Sequence, residues 1–324
     1  MNKIVIFGGS GFIGTNLLLK LSKNKRLEIH ATYFSKKNFY KIKGVKYHKV
    51  DLSKSSSKKI ISNLLKNSHS VFMLAAISSG AKIIENDPIS QFTPNLKFNL
   101  EIIDQCYKYN VKKFIFISSN TVYPVSNFSM KENDVNYSFF EKYYMVGWMK
   151  LFTEIICNVY VNKIKNSNLE ILVVRPSNLY GPYDKFSREK SKVIAALIRK
   201  FNDKSLPIEI WGDGNDIKDF LYINDFCDAL LHVYKNFKGL EIMNICSGKS
   251  IKLKTIINYL TKYFGLTKAD LKYNINMPSM IPLRKMSGQK LKNKYNYKIN
   301  YDVNSSLNKT IKWYQKNKSV YDNF

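Results

Sequence analysis

The chain has 324 residues, and its 52 basic and 24 acidic side chains give a formal charge of +28; 45% of residues are hydrophobic and 23% charged. That composition excludes a disordered or fibrous chain and allows about two domains, or one large domain with a lobe. The positive excess is almost all lysine, because Arg26, Arg175, Arg188, Arg199 and Arg284 are the only arginines. The lysines lack the aromatic interleaving of a base-stacking surface, so a solvated lysine surface is expected and no specific nucleic-acid partner.

Cys106, Cys157, Cys227 and Cys246 are widely spaced, without a Cys-x-x-Cys pair. Neither a metal site nor a disulfide framework is expected from them. The apolar run Ile4 to Phe7 is too short for a signal peptide. The run Val71 to Ile77 falls far below the ~18 residues that span a bilayer. These features lead to the expectation of a cytoplasmic protein with no membrane partner.

Taken in chain order, residues 1–175 alternate apolar runs with amphipathic stretches. The runs are Lys3–Phe7, Glu28–Tyr33, Lys46–Val50, Val71–Ala75, Lys113–Ser118 and Glu170–Arg175. Most are rich in Val, Ile and Phe, as strands buried on both faces require. Between them, Asn16–Ser22, Lys58–Leu65 and Phe98–Tyr109 read as helices. The rhythm predicts an α/β fold with a Rossmann-type doubly wound parallel sheet over residues 1–175. From residue 176 to 324 it changes to helices near Lys192–Phe201, Asp225–Lys235, Leu253–Phe264 and Val303–Lys316. Short strands at Ile208–Trp211, Phe220–Ile223 and Glu241–Ile245 accompany them. This second half reads as a smaller C-terminal α/β substrate lobe, with some segments returning to the Rossmann sheet.

The first strand runs into Gly8, Gly9, Ser10, Gly11, Phe12, Ile13 and Gly14. The spacing Gly9-x-Gly11-x-x-Gly14, placed between a strand and a helix, is a dinucleotide fingerprint. Glycine lets the backbone approach a pyrophosphate, and the helix N-terminus offers it free N–H groups. A carboxylate ending the second strand would hold the ribose 2′-hydroxyl of NAD. Here that strand ends at Tyr33, and Lys36 and Lys37 follow. The two lysines could meet a 2′-phosphate, so NADP(H) is favoured over NAD(H), against simple solvent exposure of both. Asp51, with Leu52 beside it, is placed to cap the adenine amino group.

With these residues, the chain resembles the extended short-chain dehydrogenase/reductase family, and within it the nucleotide-sugar epimerases, dehydratases and reductases. The motifs that carry the likeness run nearly end to end: the glycine loop, Leu74-Ala75-Ala76, Ser119-Asn-Thr121-Val-Tyr123-Pro, and Arg175-Pro176-Ser-Asn178-Leu-Tyr-Gly-Pro. Asn178 to Phe186, Val193 to Phe201 and Trp211-Gly-Asp-Gly214 are most similar to GDP-fucose synthase-like members. The resemblance implies an NAD(P)-dependent oxidoreductase or epimerase acting at C4 of a nucleotide-diphosphate sugar for surface polysaccharide synthesis. A GDP-sugar is favoured, with UDP-, dTDP- or CDP-sugars open, and a homodimer through the helix of Lys150 and its neighbour is implied. It further implies that Ser119 hydrogen-bonds the reacting oxygen and that Lys150 is the family lysine. Leu74, Ala75, Ala76 and Pro176 would pass the cofactor. Thr121, Asn178, Val193, Leu197, Lys218 and Arg284 would face the substrate.

The family tyrosine, four residues before the lysine, is missing: that position is Val146. Tyr143 is a candidate substitute if the helix already extends to it. An apolar stripe of Trp148, Leu151, Phe152, Ile155, Ile156, Val159 and Tyr160 is expected to be the buried side of this helix, with Lys150 off it. Thr121 and Lys192 stand where the double epimerases carry a cysteine and a histidine, and Asn120 and Thr121 where dehydratases carry an acidic pair. Redox at one carbinol remains. A catalytically impaired binding protein on the same fold, and a polyanion-binding protein, are the alternatives.

Overall fold

The computed structural model describes residues 2–34, 39–77, 87, 89–188, 191–277, 281–300 and 302–321. Lys36 and Lys37 therefore lie outside the described residues. The first half runs β1 (Asn2–Phe7), α1 (Phe12–Leu21), β2 (Leu27–Tyr33), β3 (Val45–Lys49), α2 (Lys58–Leu65) and β4 (Ser70–Met73). It continues with α3 (Ile89–Lys108), β5 (Lys113–Ile117), α4 (Tyr144–Asn162) and β6 (Glu170–Pro176). The second half contains β7 (Asn178–Tyr180), α5 (Val193–Asp203), β8 (Ile208–Trp211), β9 (Ile217–Tyr222), α6 (Ile223–Asn236) and β10 (Leu240–Ile245). It ends with β11 (Ser250–Lys252), α7 (Leu253–Tyr263), β12 (Leu271–Asn274), β13 (Leu283–Arg284), α8 (Gln289–Tyr295) and α9 (Val303–Tyr321).

Seven strands form one sheet in the order β10-β6-β5-β4-β1-β2-β3, every neighbouring pair parallel. Strand periodicity sorts the side chains onto two faces. Ile4, Ile6, Ile115, Leu172 and Val174 point to α1 and α6, packing with Leu17, Leu18, Leu230 and Val233. Val5, Phe7, Phe114, Phe116 and Val173 point to α2, α3 and α4, packing with Leu64, Phe98, Ile102 and Cys157. The doubly wound architecture is as the sequence predicts. The run at 46–50 forms the sheet edge, and β3 is only partly buried. Strand β10 crosses back to extend the sheet beside β6.

The remaining strands build the lobe: β9 pairs with β7, β11 and β13, and β12 pairs with β8. Its helices α5 and α7 contribute Ile198, Phe201, Ile256 and Leu260 to the same hydrophobic cluster as α1 and α6. One continuous core thus joins sheet and lobe. All four cysteines are free and buried. No helix among the described residues is long and apolar enough to cross a membrane.

Helix α4 is rotated relative to the sequence expectation. Its buried residues are Gly147, Met149, Leu151, Thr153, Glu154 and Cys157, with Lys150 partly buried on that side. Phe152, Ile155 and Val159 are 40%, 40% and 36% exposed. Of the expected stripe, only Leu151 is fully buried. Apolar periodicity finds a stripe but not what covers it. Here the sheet side of the helix is taken by a charged network, described below.

Candidate active site

The reversal of strand order between β1 and β4 opens a crevice at the strand C-termini. There the chain leaves β1 through Gly8, whose φ is +86° and whose N–H donates to Thr32 Oγ1 at 3.1 Å. A Cβ on Gly8 would lie 2.6 Å from the Ala75 nitrogen, and one on Gly9 2.6 Å from the Ala31 Cβ. A Cβ on Gly14 would meet the Gly8 carbonyl. Gly11 caps α1 without a side chain, so no capping group takes the N–H groups of Phe12, Ile13 and Gly14. With Ser10 at the tip, the turn fits a dinucleotide pyrophosphate.

The structure places the other residues expected to meet the cofactor as follows. The Leu74 N–H donates to Phe7 O at 3.0 Å, continuing the β1–β4 ladder past β4. Ala75 is half-buried and Ala76 exposed. Asn95 on α3 clamps this segment through Ile77, accepting from its N–H and donating to its carbonyl, both at 2.9 Å. No sequence motif flagged Asn95. Tyr33 packs against Phe39 with centroids 4.9 Å apart. Asp51 accepts from the Ser53 N–H at 3.0 Å and hydroxyl at 2.6 Å, and Leu52 packs on the core. The Pro176 carbonyl accepts from Asn120 Nδ2 at 3.2 Å.

Lys150 reaches the C-terminal end of β5, and Ser119 follows that strand end two residues later. Lys150 Nζ donates to the Ile117 carbonyl at 2.8 Å and lies 4.8 Å from the Phe116 ring centroid. Burial lowers its pKa to about 8, opposed by the Glu154 charge. Ser119 Oγ accepts from the Thr121 N–H at 3.1 Å. Thr121 is 7% exposed, and its hydroxyl has no partner among the described residues. Val146 is half-buried, one turn before Lys150. Tyr143 ends a 3₁₀ turn ahead of α4, so the helix does not extend to it as its proposed role requires. Burial pushes its phenol up to about 12.

Beneath these groups lies the network that fixes α4. Arg175 donates to Glu154 through Nε at 3.1 Å and through its second terminal nitrogen at 2.5 Å; both residues are about 3% exposed at the side chain. Ser118 Oγ donates to the same carboxylate. Arg175 also reaches Tyr123 OH at 2.8 Å and the Glu132 carbonyl at 2.7 Å, and Tyr123 OH donates to Asn244 Oδ1 at 2.7 Å. Burial opposes the Arg175 charge, and Glu154 more than restores it. Arg175 braces the fold from β6. Tyr123 is a fully buried strut.

On the substrate side, Asn178 Nδ2 donates to the Asp219 carbonyl at 2.9 Å. Lys218, register partner of Arg284 on the next strand, is paired with Asp216 at 2.8 Å. Val193 packs against the core and Leu197 is 5% exposed within it, so Leu197 braces α5. Arg284 is 2% exposed and donates to the carbonyls of Tyr123 at 3.1 Å and Pro124 at 2.7 Å. Its Nε and second terminal nitrogen have no partner among the described residues. Burial lowers its pKa to about 10.

Residues 4–246 match the model of the NAD dependent epimerase/dehydratase family. GDP-L-fucose synthase 1 of Arabidopsis thaliana is 24% identical over 97% of this chain and 94% of its own length. GDP-L-colitose synthase of Yersinia pseudotuberculosis is 25% identical over 98% of this chain and 99% of its own length. UDP-glucose 4-epimerase of Thermotoga maritima, solved with UDP-glucose, superposes with a TM-score of 0.85 at 21% identity, over 98% of this chain and 99% of that one.

Proposed function

Because the chain belongs to the NAD dependent epimerase/dehydratase family, we propose that it performs NAD(P)-dependent redox at C4 of a nucleotide-diphosphate sugar, with a GDP-sugar favoured by its relatives. The observation that carries this reading is Arg284. A buried guanidinium with two unused donors is costly unless an anion completes it. A diphosphate supplies oxygens that match the fork. Lys218 adds charge nearby, but Asp216 already shares it.

The nicotinamide supplies or accepts a hydride when bound. The residues of this chain orient the sugar and hold its proton. Ser119 positions the carbinol oxygen, while Lys150 presents its ammonium at the end of β5. The glycine turn seats the pyrophosphate. NADP(H) remains favoured because β2 ends at Tyr33 without a carboxylate for the ribose.

Turnover of NADPH with a panel of 4-keto sugar nucleotides tests the reading. Arg284→Met is expected to raise Kd for the nucleotide sugar about a hundredfold, since charge-assisted bonds contribute ~1.5–3 kcal/mol. The same variant should melt no lower than the parent, because it removes an incompletely paired buried cation. Unchanged affinity by calorimetry would count against a diphosphate at Arg284.

The exposed stripe of α4 fits a homodimer. Phe92, Leu96, Tyr144, Met145, Trp148 and Phe152 line a groove of about 420 Å³ between α3 and α4. Phe152, Ile155 and Val159 extend the apolar surface down the same helix. A patch of this kind marks an interface. Ile155→Glu is expected to convert a dimer to a monomer in light scattering. A monomeric parent would remove this part of the reading.

A further inference from the structure

We propose that Lys150 itself delivers the proton during reduction at this site, through one water molecule beside Val146. The proposal rests on the C4-redox reading above and adds to it the identity of the acid.

Position 146 and Lys150 are one helical turn apart and share a side of α4. The Ile117 carbonyl and the Phe116 ring fix Nζ beside the strand end from which Ser119 follows. The 3₁₀ turn Asn120–Val122 abuts the helix here: the Thr121 carbonyl would be 3.0 Å from a Cβ on Gly147. A trapped water needs two to four polar partners. In this proposal the partners are Lys150 Nζ at the strand end, the hydroxyl of Ser119, the Thr121 hydroxyl, which has no partner among the described residues, and the sugar oxygen.

The ammonium is also free to act. Glu154, one turn further along α4, is engaged by Arg175 and Ser118. No carboxylate among the described residues forms an ion pair with Nζ. Burial therefore leaves Lys150 with a pKa of about 8, near working pH, while Tyr143 stands at about 12. A general acid works best when its pKa lies near the operating pH. The geometry favours the same group, since Tyr143 precedes the helix.

The step balances as follows. The sugar carbonyl carbon gains a hydride, with its electron pair, from a reduced nicotinamide. The carbonyl oxygen takes a proton from the water as the C=O π bond opens. The water takes a proton from the Lys150 ammonium, leaving a neutral amine that solvent reprotonates. The ketone is reduced to an alcohol and the nicotinamide is oxidised.

Two measurements test this. In cofactor-free protein, the lysine ¹³Cε signal that vanishes in Lys150→Arg should titrate near 8; a midpoint above 10 overturns the proposal. Single-turnover hydride transfer should be flat at low pH and fall about tenfold per pH unit above the Lys150 pKa. Arginine keeps the charge but does not release its proton. Lys150→Arg should therefore erase that break and slow transfer about a hundredfold at pH 7, with dinucleotide binding kept. Retention of rate and break in Lys150→Arg overturns the proposal, as does loss of the break in Tyr143→Phe. An inactive parent beside an active Val146→Tyr overturns the lysine route alone. If both are inactive with every sugar nucleotide, the C4-redox reading falls and the lysine route with it.

Discussion

Val146→Tyr is expected to accelerate hydride transfer about a hundredfold. A positioned acid–base group contributes ~10²–10⁴, and the lysine–water route already recovers part of that. Val146 is only half-buried, so the substitution does not place a ring in the closed core. The helix phase is set by Glu154 and Cys157, not by position 146, so the new phenol should project where Lys150 can tune it. The cation would lower the phenol pKa. The pH dependence should then report a coupled pair, with apparent values belonging to both groups. Cofactor affinity should change little, because the substitution leaves the glycine turn and the Leu74–Ala76 segment unaltered. A rate that stays flat in Val146→Tyr, with dinucleotide still bound, would show that the missing phenol is not what limits this chain.

The same helix shows what the sequence could and could not convey. Buried parallel strands are near-continuous runs of Val, Ile and Phe, so the sheet was readable. The glycine turn was readable because steric exclusion of a Cβ leaves few alternatives to glycine. The spacing Lys150–Glu154 was visible too, yet its meaning was not. Apolar residues at helical spacing predicted one stripe toward the sheet, but it is divided: Leu151, Ile156 and Tyr160 pack inward, while Phe152, Ile155 and Val159 face outward. The inward side is held by Arg175 from β6, a partner 21 residues beyond Glu154 that no local pattern announces. Arg284 was singled out as one of few arginines. Its orphaned donors exist only because β13 pairs with β9 and lays the side chain against Tyr123 and Pro124. Asn95 carried no signal at all, since an asparagine clamp depends on where the segment after β4 happens to pass.

Glu154→Ala should be the most destabilising single change near the site. It strands a guanidinium that is 2% exposed and removes the acceptor of Ser118. Removing one partner of a buried ion pair costs about 3–5 kcal/mol, because the other charge stays desolvated. Arg175 retains Tyr123 OH and the Glu132 carbonyl, but neither is a counter-charge. Urea unfolding should therefore show a large drop in midpoint. The double variant Glu154→Ala/Arg175→Met should recover most of it, since no uncompensated charge remains. A functional consequence accompanies the structural one. The Glu154 charge raises the Lys150 pKa against the stronger lowering by burial. Without it the ammonium is less favoured, the pKa falls below about 8, and the break in the reduction rate moves to lower pH. In the double variant, stability should return while the break stays at the lower pH. If stability and the break recovered together, the shift would have come from loosened packing, and Glu154 would not be tuning Lys150.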